Sequence, residues 1–399
     1  MSYDVAEVRA HFPALREGAA HFDGPGGSQV PIDVAEVVAA TMSAAIANRG
    51  QLTIAERRAD RIVEDARQAM ADLLGARAGG IVFGRSMTQL TYDFSRALAK
   101  AWGPGDEVVV TRLDHDANIR PWVQAAQARD AVVRQVDFEP ETGELPVGAI
   151  AEAVTDRTRL VAVTGASNLI GTRPDVPTIA RLAHDAGALC YVDGVHLTAH
   201  SSVDIKALGA DVFVCSPYKF CGPHLGVLAA TPELLATVHP DKLLPSTNEV
   251  PERFEFGTLP YESLAGTTAA VDFLAGLAPE ANADRRASLV KSFSSIETHE
   301  RRLRDDLERG LRRIGGVRIH SRAAHRTPTV LFTLDGFAPV DVSRQLAAAG
   351  VNAPAGSFYA LECARHLGLP DGGVRAGVSL YTDDSDVERL ITAVASVRG

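Results

Sequence analysis

The sequence predicts an α/β protein with a mainly parallel sheet, and two observations support this. Short, nearly continuous apolar runs recur along the chain, as expected for parallel strands that are buried on both faces. They alternate with stretches of helical periodicity, such as 57–74 and 176–186, which is typical of right-handed βαβ crossovers. The predicted strands are residues 81–84, 107–111, 132–136, 160–164, 189–193 and 211–215.

The pattern changes near Ala287 and indicates a second, smaller domain. A long charged helical stretch, 288–314, is followed by predicted strands at 317–321, 329–334 and 374–380, with a helix at 340–349 that Pro339 opens. A chain of 399 residues also exceeds what one hydrophobic core usually organises. We therefore expect an N-terminal arm with a substrate-side loop (1–50), a large domain (51–286) and a small C-terminal α+β domain (287–399).

Composition excludes several classes of protein. The formal net charge of −10 argues against a nucleic-acid partner, because binding a phosphate backbone needs a basic surface. The apolar runs are too short to span a bilayer, and the first residues lack the features of a signal peptide. The four cysteines have neither metal-site spacing nor the density of a disulfide scaffold. A cytoplasmic location with no membrane partner is expected.

Polar residues follow three of the predicted strands at their carboxyl ends, where open α/β sheets bind ligands. Asp193 ends one strand, Lys219 comes just after the next, and Ser86 and Thr88 precede a helix whose backbone N–H groups suit a phosphate. A lysine, a carboxylate and a phosphate cradle are the parts that a pyridoxal-phosphate site requires. The lysine forms the Schiff base and moves protons, and the carboxylate keeps the pyridine nitrogen protonated.

Other interpretations fit fewer residues. His196 and His200 have the i, i+4 spacing of a metal-binding helix, but the glutamate of a His-Glu-x-x-His motif is absent. The glycine-rich segment DGPGGS (23–28) permits close approach to a ligand. It neither follows a strand nor opens a helix, so it does not match a nicotinamide-binding fingerprint. A non-catalytic scaffold is a further alternative, and the presence of Lys219 and Asp193 argues against it.

Several motifs in order resemble the class V aminotransferase family of fold-type I pyridoxal-phosphate enzymes, and within it the cysteine-desulfurase-like branch. These motifs are SMT (86–88), DHDANIRPW (114–122), SNLIGT (167–172), YVDGVH (191–196), SPYKFCGP (216–223), FEFGT (254–258) and VRAGVSLY (374–381). The resemblance implies a mainly parallel seven-stranded sheet with a smaller domain. It also implies pyridoxal 5'-phosphate as cofactor, an amino acid as substrate, and a homodimer with active sites at the subunit interface.

The resemblance also assigns roles to individual residues. Lys219 looks like the Schiff-base lysine and Asp193 like the partner of the pyridine nitrogen. His196 stands where the family has a glutamine near the cofactor's phenolic oxygen, and Asn168 resembles the asparagine near that oxygen and the substrate. Arg375 resembles the arginine that binds the substrate α-carboxylate. The expected phosphate ligands are Ser86, Met87 through its backbone, Thr88, Ser216, Tyr218 in place of a histidine, and Thr258 from the neighbouring subunit.

Two positions depart from the desulfurase pattern. Asp116 falls where desulfurases have a histidine that stacks on the cofactor ring, so either His115 is repositioned or another group covers the ring. Cys363 lies near the place of the persulfide-forming cysteine, but within a helical pattern, and we expect it to be structural. The sequence therefore favours C–S bond cleavage by a lyase acting on a cysteine-like or S-conjugated amino acid. Transamination, desulfurisation through Cys363 and epimerisation are the alternatives.

Overall fold

A computed structural model describes residues 3–278 and 283–397 of the chain. In chain order its strands are β1 Ala20–His21, β2 Ile81–Gly84, β3 Glu107–Thr111, β4 Val132–Val136, β5 Thr158–Thr164, β6 Leu189–Asp193, β7 Val212–Cys215, β8 Gly226–Ala230, β9 Val317–Ile319, β10 Thr329–Leu334, β11 Val351–Asn352, β12 Ala355–Gly356 and β13 Gly373–Gly377.

The α-helices alternate with these strands. In chain order they are α1 Val5–Ala10, α2 Ile32–Ser43, α3 Ile54–Leu74, α4 Met87–Leu98, α5 Arg120–Gln127, α6 Val147–Ala153, α7 Val176–Asp185, α8 Ile205–Leu208, α9 Pro232–Thr237, α10 Tyr261–Gly276, α11 Arg285–Leu311, α12 Pro339–Ala348, α13 Leu361–His366 and α14 Asp384–Ser396. No helix in 3–278 or 283–397 is long and apolar enough to cross a membrane.

The large sheet has seven strands in the order β2-β8-β7-β6-β5-β3-β4. All neighbouring pairs are parallel except those of β8, which runs antiparallel to both β2 and β7. The mainly parallel seven-stranded sheet is therefore confirmed. The expectation that every strand is buried on both faces is wrong for β4, because it is an edge strand whose first residue, Val132, is 46% exposed.

The small sheet has four antiparallel strands in the order β12-β13-β10-β9. Helices α11, α12 and α14 pack on it, and its core also takes in Ala20 and Phe22 from the N-terminal arm. The arm joins this part of the molecule through a two-stranded parallel pairing of β1 with β11. A smaller α+β unit is thus present, while the boundaries expected at residues 50 and 286 stay predictions.

The register of the large sheet brings the carboxyl ends of β5, β6 and β7 to one edge. Thr164 pairs with Asp193, and Asp193 pairs in turn with Val214. Gly194 lets the chain leave β6 at this point, since a Cβ there would overlap the Phe213 ring at 1.8 Å. The polar residues that follow these strands therefore converge on one place.

Candidate active site

A cavity of about 330 Å³ lies at this edge of the sheet. Eight of the eleven predicted site residues line it, namely Met87, Thr88, Asn168, Asp193, His196, Tyr218, Lys219 and Arg375. Ser86, Ser216 and Thr258 are not among the lining residues. The wall is completed by Thr164 of β5 and by residues of connecting segments, namely Pro25, Gly26, His115, Ala166, Val195, Phe358 and Tyr359.

Lys219 extends into the cavity from a short 3₁₀ turn, Pro217–Lys219, that follows β7. Its Nζ donates a hydrogen bond to the carbonyl oxygen of Pro25 at 2.6 Å and lies 4.8 Å from the Tyr218 ring centroid. Burial and the nearby charge of Arg375 lower the pKa of Lys219 to about 7, against the opposing effect of Asp193. A substantial fraction of the amine is therefore neutral and nucleophilic near neutral pH.

Asp193 is buried at the end of β6, with its Oδ1 accepting a hydrogen bond from the Val195 N–H at 3.0 Å. Burial raises the pKa of Asp193 to about 6, while that hydrogen bond and the charge of Lys219 favour the ionised form. A carboxylate that is held on a strand and shielded from water suits the role of partner to a protonated ring nitrogen.

The N-terminus of α4 faces the cavity through Met87 and Thr88. The first-turn N–H groups of a helix have no partner within it, so they are available to an anion. Ser86 acts as the N-cap, because its Oγ accepts from the Gln89 N–H at 3.1 Å. Gly226 of β8 allows this loop to sit on the sheet, since a Cβ there would lie 2.2 Å from the Ser86 carbonyl carbon.

Ser216 is buried, and its Oγ has no hydrogen-bond partner in the described structure. A hydroxyl that is shielded from water without a hydrogen-bond partner is costly unless a ligand supplies the partner.

Tyr218 stacks on His224, with ring centroids 4.8 Å apart and an interplanar angle of 10°. This stacking fixes the position of the Tyr218 ring beside Lys219.

His196 is buried, and its Nε2 lies 2.9 Å from the hydroxyl oxygens of both Thr327 and Thr329. Burial lowers the pKa of His196 well below its usual value, so the imidazole is neutral.

The i, i+4 histidine pair does not form the metal-binding helix that its spacing suggested. The His200 Nδ1 lies 2.9 Å from the Glu300 Oε2, and residues 197–199 form a 3₁₀ turn rather than an α-helix. In the described part of the chain no cluster of three or more His, Cys, Asp or Glu side chains is suited to a metal ion.

Arg375 projects from β13 into the cavity and is only 2% exposed. Its Nη1 donates to the Asn168 carbonyl oxygen at 2.9 Å, and the guanidinium lies 3.7 Å from the Phe358 ring centroid. Burial lowers the pKa of Arg375 to about 9, with the charge of Asp23 acting in the other direction. The Arg375 Nε and the Asn168 Oδ1 are both buried without partners, which marks a place for a polar ligand.

At the first departure from the desulfurase pattern, His115 rather than Asp116 faces the cavity, while the group that stacks on the cofactor ring stays a prediction. Its ring lines the cavity, and its Nδ1 accepts from the Ala117 N–H at 3.0 Å. Asp116 instead forms an ion pair with Arg120 at 3.0 Å and does not line the cavity. Burial lowers the pKa of His115 to about 4, so a neutral, flat ring is presented to the cavity.

Cys363 lies in α13 with no exposed surface. Burial raises the pKa of its thiol, although a hydrogen bond with Ser167 opposes this effect. Cys190, Cys215 and Cys221 are buried as well, and none of the four cysteines lines the cavity. The chain therefore presents no accessible thiolate at this site.

Thr258 lies on the exposed segment that follows Phe254, apart from the cavity of its own chain. Its expected contact is with the neighbouring subunit, so its role stays a prediction. Sequence analysis named the segment 23–28 but gave no role to Pro25, whose carbonyl oxygen accepts a hydrogen bond from Lys219, and it gave none to Phe358 and Tyr359. The glycines around Pro25 were a usable signal, whereas the two aromatic residues carried none.

These features fit pyridoxal phosphate. The first turn of α4 suits the phosphate and Asp193 suits the ring nitrogen, since both line the cavity. The Ser216 hydroxyl is buried without a partner, although it is not among the lining residues. Lys219 is a buried amine with a lowered pKa, as covalent attachment to a carbonyl carbon requires. The carboxylate, amine and helix terminus lie around one cavity of suitable size.

Known proteins resemble this chain over almost its whole length. The family model "Aminotransferase class-V" matches residues 20–390. The chain is 33% identical to "Uncharacterized protein MT3887" of Mycobacterium tuberculosis, over 100% of both chains. It is 30% identical to a cysteine desulfurase of Dickeya dadantii, covering 98% of this chain and 96% of the relative. The crystal structure of the cysteine desulfurase CsdA from Escherichia coli superposes with a TM-score of 0.88 at 27% identity, covering 100% and 99% of the two chains.

The fold and the site define a fold-type I pyridoxal-phosphate enzyme. The chain belongs to the class V aminotransferases, on the cysteine-desulfurase-like branch.

Proposed function

We propose that the enzyme cleaves the C–S bond of a cysteine-like or S-conjugated amino acid by β-elimination, as a lyase. The cysteine desulfurases among its relatives support a sulfur-containing substrate. The observation that carries the proposal is the burial of Cys363, which has no exposed surface and belongs to a helix. Transfer of sulfur to the enzyme needs an accessible thiolate on a mobile segment, and elimination does not.

Arg375 binds the substrate α-carboxylate in this proposal. Its planar guanidinium suits a carboxylate, and it is held in place by the Asn168 carbonyl and the Phe358 ring. Its burial strengthens the interaction with an anion, because the local dielectric constant is low. The carboxylate thereby fixes the orientation of the bonds at Cα relative to Lys219.

Lys219 and Asp193 carry the proton chemistry. When bound, the cofactor withdraws electrons from Cα of the amino acid. Asp193 holds the proton on the ring nitrogen, and Lys219 Nζ takes the Cα proton and returns one to the departing sulfur. The lowered pKa of Lys219 suits an amine that must both accept and release a proton near neutral pH.

The overall reaction balances without an oxidant. The Cα–H and Cβ–S bonds break, and water then converts the remaining carbon skeleton to pyruvate and ammonia while the sulfur leaves as a thiol. For cysteine itself the thiol product is hydrogen sulfide. Transamination would instead retain the C–S bond and transfer nitrogen to a keto acid, and epimerisation would release neither product.

Product analysis of the purified enzyme with a panel of amino acids tests the proposal. We expect thiol and pyruvate in equal amounts from an S-substituted cysteine, with no requirement for an added keto acid. Release of alanine, or turnover only when a keto acid is supplied, would contradict elimination and favour desulfurisation or transamination respectively.

The enzyme is further proposed to work as a homodimer in the cytoplasm. Segment 243–258 exposes Leu243, Leu244 and Phe256, at 71%, 98% and 49% exposure, and Thr258 lies at its end. Large apolar side chains that are exposed to water favour burial by another chain. A second copy docked there would bring Thr258 toward the phosphate end of the neighbouring cavity, as the family resemblance implies.

A further inference from the structure

Two consecutive aromatic residues on the loop between β12 and α13 adopt a backbone conformation that bulky side chains rarely adopt. Phe358 and Tyr359 have φ angles of 51° and 58°. A left-handed conformation at a bulky residue persists only when the surrounding structure holds it, and such residues cluster at functional sites.

Side-chain and backbone hydrogen bonds from the large domain hold this loop. The Asn168 Nδ2 donates to the Phe358 carbonyl oxygen at 2.9 Å, and the Asp116 N–H donates to the Tyr359 carbonyl oxygen at 2.7 Å. Both donors belong to segments that also supply residues to the active site. The loop is therefore fixed to the cavity wall, and its two side chains have defined directions.

The two rings border different parts of the cavity. Phe358 lies against the Arg375 guanidinium, which is the proposed carboxylate site. Tyr359 lies near His115, with centroids 5.7 Å apart and an interplanar angle of 32°, and it is 76% exposed. The wall therefore continues from the carboxylate site to the cavity mouth as a series of flat rings.

The charged side chains that line the cavity already have roles in the proposed function. Among the lining residues of the described chain, the charged side chains are those of Asp193, Lys219 and Arg375, which serve the cofactor and the carboxylate. His115 is neutral at physiological pH because burial lowers its pKa to about 4. The described lining thus leaves no further charged group for the substrate's own side chain, but it does offer aromatic surface.

We propose that Phe358 and Tyr359 form the specificity wall for the substrate side chain and select amino acids whose sulfur carries an aromatic or large apolar group. The proposal rests on the proposed function for the placement of the amino acid. A flat apolar substituent would cover the exposed Tyr359 ring, gaining both burial and ring–ring contact. Small thiols would leave that ring in water.

Binding of two unreactive carboxylates tests the proposal without turnover. Calorimetric titration of the cofactor-loaded enzyme with 3-phenylpropanoate and with propanoate compares the same carboxylate with and without a ring. We expect 3-phenylpropanoate to bind at least about tenfold more tightly, the factor expected for burying one phenyl ring against aromatic surface. Equal affinities in the wild-type enzyme would overturn the proposal.

Variants of Tyr359 identify the source of the preference. Tyr359→Ala and Tyr359→Gly both remove the ring, but only glycine relieves the left-handed backbone. We expect both to reduce the ratio of the two affinities at least about fivefold with propanoate unchanged, and Tyr359→Phe to retain the ratio. A ratio that survives in both ring-deleted variants would overturn the proposal.

Failure of the proposed function can be distinguished from failure of the specificity wall. Its failure would appear as alanine or keto-acid-dependent products from S-benzylcysteine, whatever the binding ratio. Preserved elimination with kcat/KM equal for S-benzylcysteine and S-methylcysteine would leave the lyase assignment intact and contradict the specificity wall.

Discussion

Burial and two opposite charges together set the pKa of the Lys219 amine. Burial and Arg375 lower its pKa to about 7, and Asp193 limits that decrease. The sequence indicated Lys219 and Asp193 because each follows a parallel strand at the same edge of the sheet. It did not indicate how close Arg375 would come, since that residue arrives from the other sheet, late in the chain.

The first prediction concerns the rate at which cofactor-free enzyme captures pyridoxal phosphate. Only the neutral amine attacks the aldehyde, so the rate should rise about tenfold per pH unit below pH 7 and level off above it. The increase in visible absorbance measures the rate, with Lys219→Ala as the control that acquires no such absorbance. A rate that still rises tenfold between pH 8 and pH 9 would contradict the lowered pKa.

The second prediction concerns Asp114, which is fully buried next to Thr111 and Asn118. Burial raises its pKa to about 8, while the unfolded value is near 3.8. Between pH 3.8 and about pH 8, the Asp114 carboxyl is therefore protonated in the folded state and ionised in the unfolded state. The contribution of Asp114 to the free energy of unfolding falls as the pH rises through this range. Above the folded pKa the loss is complete.

Asp114→Asn removes this titration. We expect the free energy of unfolding of the wild type to fall, relative to that of the variant, by at most about 1.4 kcal/mol per unit between pH 5 and pH 8. Urea unfolding of the cofactor-saturated protein at several pH values measures the difference. Parallel profiles for the two proteins would show that Asp114 is ionised in the folded state.

At the scale of single elements, sequence analysis failed where the pairing of strands, rather than the local sequence pattern, defines an element. Strand β8 was not predicted individually, because Gly226–Ala230 is a short apolar run next to loop residues and only pairing with β2 and β7 defines it. The pattern of β4 was predicted correctly, but not its place at the sheet edge. Helix α13 was anticipated from the spacing around Cys363, and the Cys363 side chain is fully buried in that helix, while its structural role stays a prediction.

The third prediction concerns Arg375, whose guanidinium contacts Asn168 and Phe358. Arg375→Ala should lower kcat/KM by a factor that corresponds to about 2–4 kcal/mol, because both affinity and alignment of the carboxylate are lost. Arg375→Lys should retain part of the affinity, since it keeps the charge but not the bidentate geometry. Values of kcat/KM within threefold of wild type for the alanine variant would exclude Arg375 as the carboxylate site.

At the scale of the whole molecule, the order of motifs indicated the family, the fold and the cofactor before any contact was known. The quaternary arrangement was reached only through the resemblance, because no periodicity or charge pattern in one chain specifies its partner. The exposed apolar side chains of segment 243–258 are the structural feature that agrees with a dimer.

The fourth prediction follows from that arrangement. Thr258→Val should weaken cofactor retention by roughly 1–3 kcal/mol, the range for losing the partner of a buried polar group, although Thr258 is exposed in the single chain. Equilibrium dialysis measures retention, with the exposed Thr392→Val as the matched control and sedimentation reporting the oligomeric state. A wild-type monomer that binds cofactor fully at micromolar concentration would contradict the dimer.

The proposed elimination is tested most directly by the products that wild type and Cys363→Ala release from cysteine. We predict hydrogen sulfide and pyruvate in equal amounts from both proteins, no alanine, and rates within a few-fold of each other, because Cys363 is buried away from the cavity. Alanine and a protein-bound persulfide from the wild type, both absent in Cys363→Ala while the cofactor stays bound, would contradict the lyase and identify a cysteine desulfurase.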